Sequence, residues 1–132
     1  KRYYTKLNKV VHVVGTDKDD KFIIKRLNDE ETSVVVFRKE NEIYNRVFKT
    51  KETKEIQIYG LNGDDEFLIS GDVHDGILLR IIGGQNHDVY TDKSSVAGWG
   101  KKTKIYDFKS KKNTIHPSSE TADLRSNSYF KN

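Results

Sequence analysis

The chain has 132 residues, of which 34% are hydrophobic and 33% are charged, so it can form one domain with a thin core. It contains no cysteine, which excludes disulfides, thiolate metal sites and cysteine nucleophiles. The 24 basic and 20 acidic residues are interspersed, which argues against nucleic-acid binding, and no apolar run is long enough to cross a membrane.

Short runs of β-branched, aromatic and aliphatic residues alternate with turn clusters of Gly, Asn and Asp, which predicts β-strands. In chain order, the predicted strands cover residues 10–14, 22–27, 33–38, 43–48, 55–59, 66–70, 77–82, 89–91 and 104–108. No window of the sequence carries a convincing helical period. We therefore predict a single all-β domain over residues 1–108, followed by a polar tail or linker over residues 109–132.

One turn motif occurs three times, at residues 15–22, 60–67 and 83–90. Each copy has Gly at the first position, Asp at the sixth and an aromatic residue at the eighth. The Asp residues of successive copies are 45 and 23 residues apart, which indicates a coil of about 23 residues. Glu42 and Tyr44 fall midway between the first two copies and would belong to a degenerate copy of the motif.

A single coil of this kind cannot bury its own apolar face, so several coils must stack. We therefore expect a short β-helix or β-roll-like solenoid with about 23 residues per coil. A β-sandwich with Greek-key connections is the alternative, because residues 22–48 can equally be interpreted as antiparallel hairpins.

The turn motif resembles the Gly-Gly-x-Gly-x-Asp-x-large apolar pattern of hemolysin-type calcium-binding β-rolls. The second copy departs from that pattern by one Leu and the third by one Asn, and the family repeats its motif every nine residues. The resemblance implies that Asp20, Asp65 and Asp88 are ligands to Ca²⁺, which prefers oxygen donors. The alternative is that each Asp accepts hydrogen bonds from backbone N–H groups of its turn.

A second resemblance covers about residues 2–108 and rests on five short motifs. They are Gly-Thr-Asp at residues 15–17, Glu-Thr-Lys-Glu-Ile at 52–56, Tyr-Gly-Leu at 59–61, Gly-Asp-Asp at 63–65, and the Gly-Gly, Asp and Asp series of 83–92. Their order resembles a segment of large bacterial outer-membrane proteins, between a calcineurin-like metallophosphoesterase domain and a BamA/TamA-like surface-antigen β-barrel.

This resemblance implies a non-catalytic connector whose partners are the neighbouring domains of a longer parent protein. It also implies a location outside the cytoplasm, in association with the outer membrane, without direct membrane insertion by this segment. The chain begins at Lys1 and not at an initiator methionine, and we interpret it as a piece of that longer protein.

Two other classes of function stay open. An exposed aromatic row that includes Trp99, Tyr44 or Tyr90 would favour a module that binds carbohydrate or another polar surface, although Trp99 is better interpreted as the cap of the last coil. A hydrolase would need converging carboxylates and histidines. Residues 85–88 resemble a phosphoesterase stretch but fit the turn repeat better, and there is no Gly-x-Ser-x-Gly elbow, so we predict no enzyme.

Overall fold

The computed structural model describes residues 9–98, 100–107 and 113–125. These residues form strands without any helix among them, which confirms the predicted all-β class. The strands are β1 (Val10–Val14), β2 (Asp20–Asn28), β3 (Glu31–Arg38), β4 (Asn41–Lys49), β5 (Glu55–Tyr59), β6 (Glu66–Val73), β7 (Leu78–Ile82), β8 (Val89–Val96), β9 (Thr103–Tyr106), β10 (Thr114–His116) and β11 (Thr121–Asp123). In the described ranges there is accordingly no helix long and apolar enough to span a membrane.

The described strands lie in two sheets that enclose one core. The first sheet has the order β1-β5-β7-β9-β11, and all of its strands are parallel. The second has the order β10-β8-β6-β2-β3-β4, with parallel pairs up to β2 and antiparallel pairs beyond it. From β5 onwards the chain alternates between the two sheets. Alternate residues of each strand therefore point into one shared interior.

The register of the parallel pairs brings equal positions of the turn motif together. Phe67 lies between Phe22 and Tyr90, and the three rings stack with centroid distances of 4.7 and 4.9 Å. All three side chains are fully buried. Stacked aromatic pairs contribute about 0.5–1.5 kcal/mol beyond the burial of their area. The eighth position of the motif therefore forms an aromatic column through the core.

The β3–β4 hairpin explains why the first two copies of the motif are so far apart in sequence. It extends the second sheet beyond β2, and it buries Val34, Val36 and Phe48. Glu42 and Tyr44, interpreted above as part of a degenerate turn, instead lie inside β4. The antiparallel hairpins anticipated for residues 22–48 are therefore present, next to a set of parallel strands.

Two strands lie inside the segment predicted to be a polar tail. β10 pairs with β8, and β11 pairs with β9. The contacts that hold this segment are polar: Glu120 accepts hydrogen bonds from the N–H groups of Val96 and Lys102, at 2.8 and 2.7 Å. The sheets therefore continue past residue 108, and a composition poor in aliphatic residues gives no sign of it. Residues 109–112 and 126–132 of the predicted tail lie outside the described residues.

The interior becomes polar toward β11. In one row of the first sheet Leu79 is followed by Thr103 and Thr121, and all three are buried. In the second sheet Asp92 lies beside Ile69, and its carboxylate accepts a hydrogen bond from the Thr121 hydroxyl at 2.7 Å. Apolar packing thus gives way to hydrogen bonding over the last strands.

Arg26 joins the early and late strands through the core. Its Nη1 donates to the carbonyl of Ile77 at 2.7 Å and its Nη2 to the carbonyl of Lys102 at 3.1 Å, just before β7 and β9. Burial lowers the pKa of Arg26 to about 10, while the charges of Asp92 and Glu120 favour its protonated form. One buried guanidinium therefore holds three segments in place.

Candidate functional site

The three turn motifs stack along one edge of the molecule. They connect β1 to β2, β5 to β6 and β7 to β8, so each one carries the chain from the first sheet to the second. We call this edge the glycine–aspartate corner, and define it by Gly15, Gly60 and Gly83 with Asp20, Asp65 and Asp88. The predicted site residues are thus brought into one column.

The three aspartates link neighbouring turns through the backbone. The N–H of Asp20 donates to Oδ1 of Asp65 at 2.9 Å, and the N–H of Asp65 donates to Oδ1 of Asp88 at 3.0 Å. Asp20 itself accepts from the N–H of Thr16 at 2.7 Å, within its own turn. All three aspartates are at most 2% exposed. Their side chains are therefore structural acceptors for buried N–H groups, which would otherwise be costly to bury.

A second, exposed row of hydrogen bonds runs beside the first in the opposite sense. Asp19 accepts from the N–H of Asp64 at 2.8 Å, and Asp64 accepts from the N–H of His87 at 3.0 Å. In this outer row the carboxylate belongs to the earlier turn, whereas in the inner row it belongs to the later one. Each pair of adjacent turns is consequently fixed by two carboxylates.

The first position of the motif must be glycine because the carboxyl groups fill the space beside it. A β-carbon at Gly60 would lie 2.5 Å from Oδ2 of Asp65. A β-carbon at Gly83 would overlap the Tyr90 hydroxyl and the Asp107 carboxylate. At both positions the β-carbon would come closer than any normal van der Waals contact, so Gly is needed for the close approach of these side chains to the backbone.

Asp107 is a fourth member of the column that the motif search does not identify. It follows β9 directly. Because Ile82 pairs with Tyr106, Asp107 occupies in this coil the place that Gly83 occupies in the coil before. Its Oδ2 accepts a hydrogen bond from the Tyr90 hydroxyl at 2.6 Å, and it is hydrogen-bonded to Asp88. The signal in the sequence is the Ile-Tyr-Asp triplet at 105–107, one coil after Ile-Ile-Gly at 81–83.

Burial makes two of these carboxyl groups weak acids. The pKa of Asp65 is raised to about 8, mainly by burial and also by the charges of Asp20, Asp19 and Asp64, while the hydrogen bond from the N–H of Asp20 opposes the rise. Burial, followed by the hydrogen bond to Asp107, also raises the pKa of Asp88. Both shifts favour the protonated form of the carboxyl group.

The carboxylates of the column are partly engaged by the backbone, which bears on the predicted calcium ligands. Ca²⁺ takes six to eight oxygen ligands, whereas Oδ1 of Asp65 and of Asp88 is engaged by a backbone N–H. Within the described ranges, no group of three or more His, Asp or Glu side chains could hold a metal. Oδ2 of Asp65 accepts no hydrogen bond from the described atoms, and the raised pKa of this carboxyl group favours a proton there. Calcium binding by Asp20, Asp65 and Asp88 stays a prediction.

The aromatic residues proposed for a surface row take different places. Tyr90 is fully buried, Tyr44 is half-buried, and Trp99 lies outside the described residues. The outer face of the first sheet instead presents Tyr59 and Tyr106, which the sequence reasoning passed over.

Polar side chains hold these two rings on the outer face. Tyr59 donates to Oε1 of Gln57 at 2.6 Å, and Nε2 of Gln57 donates to Glu55 at 2.6 Å. Arg80 pairs with Glu55 at 2.9 Å and donates to the Tyr106 hydroxyl. A depression of about 520 Å³ is lined by Glu55, Gln57, Arg80, Ile82 and Tyr106. The outer face of the first sheet is therefore a pre-arranged polar surface with two aromatic rings.

Comparisons with protein-family models, with curated proteins and with solved structures gave no match to this chain.

Proposed function

We propose that this chain is a non-catalytic structural module that connects neighbouring domains of a longer protein. The observation that carries the proposal is the inner row of hydrogen bonds, in which Asp65 and Asp88 each accept a backbone N–H from the adjacent turn. These bonds join residues 45 and 23 positions apart, so the repeat itself holds the module together. The buried acids of the corner serve stiffness, and we propose no catalytic role for them.

The proposed architecture is a short β-solenoid with about 23 residues per coil. Parallel pairing within both sheets, with the chain alternating between them, supports this over a Greek-key sandwich, whose sheets are antiparallel. The β3–β4 hairpin would then be an insertion in the first coil. The proposed coils are β1 with β2, β5 with β6, β7 with β8, and β9 with β10, and β11 begins a fifth.

The cellular setting is a proposal that rests on motif resemblance alone. It assigns the chain to an outer-membrane-associated protein, beside a metallophosphoesterase domain and a β-barrel. A module built of stacked coils, joined from turn to turn by hydrogen bonds, suits such a position. If it is rigid, it holds the domains on either side at a fixed distance.

Thermal unfolding with excess Ca²⁺ and then with chelator separates the two accounts of the corner. If protons and backbone hydrogen bonds hold the column, the midpoint is the same in both conditions. A ligand at a hundredfold excess over its dissociation constant would add about 2.7 kcal/mol of stability, and the midpoint would rise by several degrees. A rise that vanishes in Asp65→Ala and in Asp88→Ala would establish calcium-bound turns instead.

Hydrogen exchange tests the structural role directly. The amides of Asp20 and Asp65 are bonded to buried carboxyl groups, so we expect them to exchange only through global unfolding. The amides of Asp64 and His87, in the exposed outer row, serve as the internal comparison and should exchange faster. Equally fast exchange of the amides in both rows would refute the proposal that the inner row of hydrogen bonds stabilises the module.

A second candidate function is binding of a linear carbohydrate on the outer face of the first sheet. Tyr59 and Tyr106 lie two strands apart, which separates them by about 9–10 Å along the stack. Rings at this spacing, beside the amide of Gln57 and the guanidinium of Arg80, could stack on sugar rings and bond their hydroxyls. Titration with cellohexaose would test this: binding should be lost in Tyr106→Ala.

A further inference from the structure

Asn62 and Gly63 lie in the second turn of the glycine–aspartate corner, between β5 and β6. Asn62 is exposed, and its side chain is held by one long hydrogen bond, from its Nδ2 to Oδ1 of Asp17 at 3.4 Å. Gly63 has a φ of +94°, a conformation that glycine adopts without strain. No other asparagine of the sequence is followed by glycine. Asn62 is therefore the one asparagine whose following main-chain nitrogen has no side chain beside it.

The main-chain nitrogen of Gly63 is available as a nucleophile. Within residues 9–98, 100–107 and 113–125, its N–H donates to no acceptor. The third turn offers a direct comparison, because Asn86 is also exposed, but the N–H of the following His87 donates to Oδ1 of Asp64 at 3.0 Å. Hydrogen bonds to carboxylates are among the stronger ones in proteins, and this one must break before the His87 nitrogen can react. Asn62 is thus placed to react with its neighbour, and Asn86 is not.

We propose that Asn62 is a site of spontaneous deamidation, at which the turn converts from asparagine to aspartate and isoaspartate. The nitrogen of Gly63 attacks Cγ of Asn62, the new C–N bond closes a cyclic succinimide, and Nδ2 leaves as ammonia with the proton of the Gly63 N–H. Water then adds to a ring carbonyl, and the C–N bond that breaks returns a proton to the nitrogen. Opening at one carbonyl gives aspartate, and opening at the other gives isoaspartate. The proposal does not depend on the connector role.

Isoaspartate at this position would not fit the stack of turns. A β-carbon on Gly63 would lie 2.4 Å from the carbonyl oxygen of Lys18, so the main chain has no room to shift toward the preceding turn. The next N–H, that of Asp64, donates to Oδ1 of Asp19 at 2.8 Å. Isoaspartate lengthens the main chain by its own Cβ just before these contacts, so we expect it to loosen the second turn from the first. Aspartate leaves the main chain unchanged and adds a charge beside Asp17, which solvent screens.

Peptide mapping of the folded protein after incubation in mildly alkaline buffer tests the reaction. Trypsin places Asn62 in the peptide 55–80 and Asn86 in the peptide 81–93, so one digest follows both. Conversion of amide to acid, located by fragmentation, should be at least about tenfold faster at Asn62 than at Asn86, where a hydrogen bond to a carboxylate must first break. Asn62→Gln is the matched control, because it keeps an amide but forms the cyclic imide far less readily, and its peptide should keep its mass.

The Asp-Gly pair at 75–76 lies in the same peptide and can also isomerise, but it has no amide to lose and its mass stays constant. Conversion at Asn62 no faster than at Asn86, or conversion that occurs only in the urea-unfolded chain, would overturn the proposal.

The structural consequence has its own test. The isoaspartate form, separated by chromatography, should unfold at lower urea than Asn62→Asp, which carries the same charge on an unaltered main chain. The amide of Asp64 should exchange faster in the isoaspartate form and be unchanged in Asn62→Asp. Equal urea midpoints for these two proteins would contradict the expected loosening of the turns.

Discussion

The tight space beside Gly83 predicts that a single added methyl group destabilises the whole domain. A β-carbon at this position would overlap the Tyr90 hydroxyl and the Asp107 carboxylate, and it would lie 2.6 Å from Oδ2 of Asp88. Overpacking of a core costs about 1–3 kcal/mol, and loss of the buried hydrogen bond between Tyr90 and Asp107 costs about 1–3 kcal/mol. We expect Gly83→Ala to lower the free energy of unfolding by about 2–6 kcal/mol, the sum of the two.

Removal of the Tyr90 hydroxyl should relieve part of this strain. Alone, Tyr90→Phe deletes the hydrogen bond to Asp107 and should cost about 1–2 kcal/mol. In the Gly83→Ala background the same change should cost nothing or stabilise the protein, which gives a coupling energy of at least about 1 kcal/mol. Phe22 and Phe67 occupy the equivalent place in the other two turns, so the ring itself fits.

Urea unfolding of the wild type, the two single variants and the double variant measures the coupling. Gly98→Ala is the control, because a β-carbon there would meet no atom within 4 Å, and its cost, which is set by a φ of +103°, should add to that of Tyr90→Phe. Additive effects of Gly83→Ala and Tyr90→Phe would refute the reasoning, as would a Gly83→Ala variant as stable as the wild type.

Three further perturbations address other parts of the core. Because the pKa of Asp65 is raised, the folded chain keeps a proton that the unfolded chain releases. The contribution of this carboxyl group to stability is complete below about pH 4 and is lost as the pH rises to about 8. Asp65→Asn should therefore change the pH dependence of the urea midpoint over this range. Phe67→Ala removes the middle ring of the aromatic column and should cost about 3–5 kcal/mol in the same assay, whereas Phe67→Tyr should cost less. Arg26→Met leaves the carbonyls of Ile77 and Lys102 without their donor and should cost about 2–4 kcal/mol, with no loss if the guanidinium contributes nothing.

The sequence alone predicts those features that recur in it. The spacing of Asp20, Asp65 and Asp88 identifies the column, because a repeated turn demands the same residue at the same place. The aromatic column follows from the same register. The strand pattern is recovered for most elements, since β-branched runs and turn residues alternate clearly along the chain.

The sequence does not predict the features that depart from the repeat, and each failure has a physical reason. Asp107 stands where the repeat has glycine, so a search for the motif passes over the group that hydrogen-bonds Asp88 and Tyr90. β10 and β11 are held by polar side chains such as Glu120, and composition alone cannot distinguish a polar strand from a polar tail. The raised pKa of Asp65 depends on burial, which no local sequence pattern reports.

The two ends of the described stack differ in chemistry, and this difference limits how copies can assemble. At one end β4 offers nine residues of open edge with exposed Ile43 and Val47. At the other, β10 and β11 are three residues each, and Thr121 is already bonded to Asp92. A fibre needs two unlike surfaces that match head to tail, whereas a contact between like surfaces closes after two copies. Ends that do not match each other would thus protect the protein from growing into filaments by head-to-tail stacking.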